Sequence, residues 1–349
     1  MKKWIVIAIS LIIIGGLILT ITACSKNSIF ENKLEEKTVE ITDNFSEIEV
    51  HTDVADIILT VAEDGKCKVI SNDHKKITYS ASVENNVLKV KAVDGRKWYE
   101  KIFNVRTPSI SIYLPKSEFS SLTIDESTGN ITAASFDFGN VDIKLSTGDV
   151  KLENITANQM KIKSSTGDIN LNTVECAENL SIEVSTGDVH LKSVSCNNLS
   201  SEGDTGNITI ENINANNASI ERTTGKIGVT EANISDTITL EVSTGKCEIT
   251  DVKCANLISE GDTGNIIITN VIADGKFDIE RSTGYVKFDA SDAAEIFVET
   301  DTGNVTGSLL TEKVFIVRTD TGKIDVPKTI TGNRCEITTD TGDIVITVK

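Results

Sequence analysis

Ser146-Thr147-Gly148-Asp149-Val150-Lys151-Leu152-Glu153-Asn154-Ile155-Thr156-Ala157-Asn158-Gln159-Met160-Lys161-Ile162-Lys163-Ser164-Ser165-Thr166-Gly167 is one turn of a pattern that decides the fold. Counted from Gly148, apolar residues fall at +2 and +4 (Val150, Leu152), at +7 and +9 (Ile155, Ala157) and at +12 and +14 (Met160, Ile162). Alternation with period two marks short half-buried strands, and the two breaks in phase mark corners. Three strands and three corners in about 19 residues describe one rung of a parallel β-helix.

Working outward, the Ser/Asp/Thr-Thr-Gly motif recurs with its glycines at 129, 148, 167, 187, 206, 225, 245, 264, 284, 303, 322 and 342, at spacings of 19 or 20. Such a period means a stacked supersecondary unit. The extra residue of the longer turns falls before the third pair, as at Ala177-Glu178-Asn179, in a corner rich in turn formers. The motif glycine is expected at positive φ, with its preceding Thr stacked rung on rung. Only Pro108, Pro115 and Pro327 interrupt the chain, which suits continuous ladders. A longer repeat is superimposed: Ser201–Asn207 and Ser259–Asn265 both read SEGDTGN, three rungs apart, as a duplicated block would.

The expected fold is therefore all-β: a single-chain parallel β-helix of about twelve 19–20-residue rungs over 128–349. Residues 38–127 lack the Thr-Gly beat. Ile48-Glu49-Val50, Ile57-Ile58-Leu59, Val87–Val90 and Ile110–Leu114 nevertheless read as strands, and Asp94-Gly95 as a turn. This β-rich region is expected to cap the first rung against edge-to-edge aggregation. At the other end Gly307, Glu312, Thr329 and Thr331 replace expected apolar residues, as in an atypical last rung.

Lys2 and Lys3 precede an uncharged run from Trp4 to Ala23, long enough to span a bilayer as a helix. The flanking positives orient the N-terminus inward and the body outward. Ile21-Thr22-Ala23-Cys24 also fits a bacterial lipobox, with Cys24 the lipidated residue. Either way residues 1–24 form a membrane anchor or lipoprotein signal, 25–37 a polar spacer, and the remainder an extracytoplasmic body on the cytoplasmic membrane. The 349 residues carry a formal charge of −18. That balance excludes nucleic acid as a partner, which needs a basic footprint.

The lead-in Ile112-Tyr113-Leu114-Pro115-Lys116, the following Ser121-Leu122-Thr123-Ile124, the Ser-Thr-Gly-Asp run from Ser127 and the N-terminal anchor together resemble the bacterial putative-adhesin domains of unknown function built from β-strand repeats. The resemblance covers roughly residues 38–349. It implies a β-helical extracytoplasmic domain, typical of Gram-positive envelopes, and supplies no catalytic residues.

The residues that bear on chemistry are few. Asp149, Asp168 and Asp188 stand at +1 in consecutive rungs. A divalent cation bridging that column is the metal reading, and a solvated acidic face the plain one. Asp301, Asp320 and Asp340, two residues before their glycines, suit carboxylates that accept turn hydrogen bonds. Arg222 and Arg281 stand at −3, one rung after Gly203 and Gly261. Each stem is expected to lie over the vacant space and reach a carboxylate. Cys176, Cys196 and Cys254 share the +9 position and read as buried thiols rather than a disulfide framework. Arg96-Lys97-Trp98-Tyr99 is the densest basic-aromatic cluster; Trp98 and Tyr99 are candidate partner contacts or cap packing. His51, His74 and His190 are scattered, and no nucleophile elbow, phosphate loop or zinc spacing is present. No cofactor is expected. The expected function is a non-enzymatic surface module displaying a repetitive face to an envelope glycan or protein ligand. The alternatives are a structural envelope spacer or stress protein and a carbohydrate-active β-helix enzyme.

Overall fold

The computed structural model describes residues 35–73, 77–95 and 108–349. The chain is all-β, and its body is a parallel β-solenoid of about twelve turns. Residues one turn apart are register partners: Val150 lies beside Ile131 and Ile169, and Met160 beside Val141 and Leu180. The alternation read from the sequence is the alternation of burial. Val150, Leu152, Ile155, Ala157, Met160 and Ile162 all point inward. The strand then runs on straight to the glycine corner, so a seventh position, at −3, also faces the core. It holds Leu145, Ser164, Val184, Arg222 and Val242 in successive rungs, with Gly203 between Val184 and Arg222.

Each corner has its own device. At the motif, Gly148 has φ +138°, and a Cβ there would stand 2.0 Å from the carbonyl oxygen of Gly129. The backbones of consecutive rungs approach too closely for any side chain. The second corner, at +6, takes a left-handed residue in nine rungs from Ser135 to Ala290, with φ between 47° and 65°. Asn, Asp and Ser fill most of these places because they tolerate that conformation. The third corner carries a stack of side-chain amides: Asn198 donates to Asn179 at 2.9 Å and Asn217 to Asn198 at 3.2 Å. Extra residues are absorbed here, where the register shifts between Cys176 and Asn179 and between Ala273 and Lys276.

Rungs do not stack in chain order at either end. Glu47–Val54 lies between Val87–Asp94 and Glu118–Thr128, and Asp56–Val61 between Ser109–Leu114 and the start of Ile131–Thr147. Antiparallel strands cover this end: Ile77–Glu84 on Val87–Asp94, Cys67–Asp73 on Ser109–Leu114, and Glu35–Ile41 on Cys67–Asp73. Beneath them Phe45, Phe119 and Phe138 stack, with ring centroids 5.7 and 6.2 Å apart.

At the C-terminal end the last motif is not the last rung. Asn333–Thr341 pairs with Val286–Thr302 on one side and Lys313–Thr321 on the other. Likewise Ile344–Val348 lies between Val305–Leu309 and Ile324–Asp325. The motif glycines thus run 284, 303, 342, 322 in space. Beside this rearrangement Lys313 is buried. Its Nζ lies 2.7 Å from Asp292 and donates to Ala293 O at 2.6 Å and Thr311 Oγ1 at 2.9 Å.

Candidate binding face

Side chains at +1, −2 and −4 face outward on the flanks of the glycine turn. At +1 the three aspartates of the cation reading form part of a hydrogen-bonded spine. Asp149 N–H donates to Asn130 Oδ1, Asp168 N–H to Asp149 Oδ1, Asp188 N–H to Asp168 Oδ1 and Asn207 N–H to Asp188 Oδ1, all at 2.7–2.9 Å. One oxygen of each carboxylate is engaged by the next rung's amide. Lys226 and Lys246 cannot accept such a bond and both pair with Glu248 instead. The spine resumes at Asn265, Asn304 and Asp343. Among the described residues no group of three or more His, Cys, Asp or Glu is arranged to hold a metal ion.

Two expectations, for Asp320 and for the two core arginines, are corrected. Asp320, at −2, accepts from the Arg318 guanidinium at 3.0 Å rather than from a turn amide. At the first motif a buried carboxyl at −3 takes one turn amide and one from the neighbouring rung: Glu126 Oε1 accepts from Thr128 N at 3.1 Å and Ala55 N at 3.2 Å. Burial pushes the Glu126 carboxyl up to about 8, with Asp53 and Asp56 adding to it. Arg222 and Arg281 do lie over their glycines: a Cβ on Gly203 would meet Arg222 Nη1 at 1.8 Å, and one on Gly261 would meet Arg281 Nη1 at 2.9 Å. Neither reaches a carboxylate, because both turn into the core. Arg281 donates to Ser259 Oγ and to Glu280 O, while Arg222 has no hydrogen-bond partner. Burial lowers the pKa of both. The six described cysteines are free and buried, and burial pushes the Cys176 thiol up to about 12. Cys24, Trp98 and Tyr99 lie outside the described residues.

The feature that the reading of individual motifs missed is at −4. Glu183, Glu202, Glu221, Glu241, Glu260, Glu280 and Glu299 are register partners in seven consecutive rungs. Adjacent members are one strand spacing, about 4.8 Å, apart at the backbone. With Ser185, Asp204, Thr223, Ser243, Asp262 and Ser282 at −2 they wall a groove whose floor is the backbone at −3. One stretch of it encloses about 430 Å³ from Asp125 to Thr223, and a second about 140 Å³ from Glu241 to Ser282. At its N-terminal end Lys163 and Lys161 hold the Glu183 carboxyl below its usual range. Further along, no cation among the described residues pairs with Glu221, Glu241, Glu260, Glu280 or Glu299. Partial burial and the neighbours Glu221, Glu260 and Asp262 raise the Glu241 carboxyl. The signal was present in the sequence, since each of these motifs begins with Glu four residues before its glycine.

Fold and face together define a β-solenoid with a repeating acidic groove along one edge. The chain belongs to the Toastrack DUF4097 family, a family of unknown function whose model matches residues 45–232, more than half of the chain. The chain is also similar to several solved structures. A putative lipid binding protein from Parabacteroides distasonis matches at 17% identity and TM-score 0.38, over 79% of this chain and 97% of its own. A putative adhesin from Bacteroides fragilis matches at 13% and 0.27, over 91% and 98%. A putative cell adhesion protein from Clostridium sporogenes matches at 9% and 0.21, over 91% and 100%. No curated protein matches the chain.

Proposed function

We propose that the protein is a non-enzymatic, membrane-tethered extracytoplasmic module that displays a repetitive surface for binding, in adhesion or envelope sensing. The observation that carries this reading is the register of the outward side chains. One residue type is held at one spacing through seven rungs on a rigid ladder. A surface of that kind matches a ligand that is itself repetitive, a glycan or a protein face, and cationic groups complement its charge. The tether rests on the apolar run Trp4–Ala23 behind Lys2 and Lys3.

The test is retention of an envelope glycan, peptidoglycan or protein ligand on an array by the full chain, without change to that ligand. The triple variant Glu221→Gln, Glu241→Gln, Glu260→Gln should lose retention at unchanged melting temperature. Release of new reducing ends from a polysaccharide would overturn the reading in favour of an enzyme. Failure to retain any component, in a strain whose deletion alters envelope stress resistance, would replace it with a structural role. For the tether, protease added to intact protoplasts should digest the body; loss of processing and lipid label in Cys24→Ala would identify the lipoprotein form. If Trp98→Ala rather than the glutamate variant abolishes capture, the N-terminal region and not the groove carries recognition.

A further inference from the structure

The two ends of the solenoid are finished differently. Antiparallel strands lie over the N-terminal end of the parallel ladder. Among the described residues no strand lies over the other end: Lys313–Thr321 pairs only with Asn333–Thr341, and Ile324–Asp325 only with Ile344–Val348. A row of backbone donors and acceptors is left open there. The core is open as well. Phe315 and Val317 stand in register with the buried Cys335 and Ile337 yet are only partly covered. Ile324, in register with fully buried Ile344, is 44% exposed. Four of the five large apolar side chains exposed among the described residues are at this end: Leu310, Ile316, Ile324 and Ile330, the last 92% exposed.

We propose that this end is a self-pairing face whose occupant is the same end of a second copy, with the edge strands antiparallel across a two-fold axis perpendicular to the solenoid. The charges argue for a second copy. Arg318 and Asp320 stand on the outer face on either side of Thr319, now bonded to each other at 3.0 Å. A two-fold axis through Thr319 sets Arg318 opposite Asp320 of the second copy and Asp320 opposite its Arg318, the arrangement that stabilises antiparallel pairs. Residues 312–328 hold four cationic and three anionic side chains, in a chain of formal charge −18. The two ends therefore meet without the repulsion that the acidic flanks impose. The pairing is isologous and closes at two.

An end face one rung across is small beside the roughly 1,600 Å² of a standard interface, so the dimer is reversible, with a dissociation constant in the micromolar range. Sedimentation equilibrium of the full chain in detergent micelles should show monomer and dimer in exchange. Arg318→Asp or Asp320→Arg alone places like charges opposite each other and should raise the dissociation constant at least about tenfold. The double variant Arg318→Asp, Asp320→Arg restores complementarity and should restore the dimer, with melting temperatures unchanged throughout. A chain that stays monomeric at every concentration, one that grows beyond two copies, a dimer indifferent to the single reversals, or a double variant that fails to recover would each overturn the proposal.

Discussion

Arg281 Nη2 donates to Ser259 Oγ across one rung at 2.7 Å, deep inside the solenoid, and Ser259 Oγ passes a bond on to Leu240 O at 3.2 Å. The cassette is duplicated three rungs away as Ser201, Gly203 and Arg222, but only one copy is satisfied. Arg222 is 1% exposed and its three guanidinium nitrogens have no partner, nor does Ser201 Oγ. An uncompensated buried cation is expensive, whereas an apolar group of similar volume is not. Arg222→Met should therefore raise stability, by about 1–4 kcal/mol. Arg281→Met should lower it by about 1–3 kcal/mol, since Glu280 O loses its donor. Denaturant melts of the two variants against the parent check the opposite signs; a loss in both would mean that Arg222 has partners in solution.

Gly148 makes the sharpest steric prediction. Its added Cβ would stand 2.0 Å from Gly129 O, with φ at +138°. That neighbour is backbone and cannot rotate away. Gly148→Ala should cost more than about 3 kcal/mol, read as a fall in melting temperature. Gly65→Ala is the control: its turn has φ +66° but nothing within 4 Å, so it should cost only about 1 kcal/mol.

Glu126 should give the protein a pH-dependent stability. Its carboxyl is raised by burial from 4.5 to about 8, so between those values the folded state holds the proton more tightly than the unfolded chain. This group's contribution is fully present below about pH 4.5 and is lost as pH rises towards about 8, a change of a few kcal/mol. Glu126→Gln keeps an oxygen for the Ala55 and Thr128 amides and carries no charge. It should flatten the slope between pH 5 and 8 and stabilise the protein most at the alkaline end. An identical pH profile in parent and variant would refute this.

The +1 spine separates charge from hydrogen bonding. Asp168 Oδ1 receives the Asp188 amide, a role that an amide oxygen fills equally well, as Asn130 and Asn265 do elsewhere in the spine. Asp168→Asn should change stability by less than about 0.5 kcal/mol, while Asp168→Ala should cost about 1 kcal/mol. If millimolar calcium raises the parent's melting temperature and Asp168→Asn abolishes the rise, the column holds a cation after all.

The parts of this fold that repeat were legible and the parts that break the repeat were not. Val150 to Ile162 alternate with a period only a strand can bury, and the same period twelve times allows only stacking. The seventh inward position was legible only in part: Leu145, Val184 and Val242 are apolar there, but Ser164, Gly203 and Arg222 fill it in other rungs, so no single residue type marks it. The order of the end rungs stayed hidden because Gly322 and Gly342 sit in equally good motifs, and which lies outermost depends on contacts distant in sequence. The glutamate column was readable only by lining up all the motifs at −4. Within any one rung Glu241 is an ordinary exposed acid; what makes it part of a face is Glu221 below and Glu260 above.

The insertion of Asn333–Thr341 between Val286–Thr302 and Lys313–Thr321 has a consequence for biosynthesis. A solenoid that stacks in chain order can zip up from the N-terminus as it emerges, each new turn resting on the last. Here the place next to Val286–Thr302 belongs to Asn333–Thr341, made later, so the turn made earlier, Lys313–Thr321, must wait outside it. Completion of the rod is thus deferred until Asn333–Thr341 and Ile344–Val348 have emerged from the ribosome. A chain lacking residues 333–349 is not a rod one turn shorter but one whose outermost turn has lost its only neighbour. Such a keystone arrangement makes an incomplete polypeptide recognisable as incomplete, because its loose turn stays open to proteolysis.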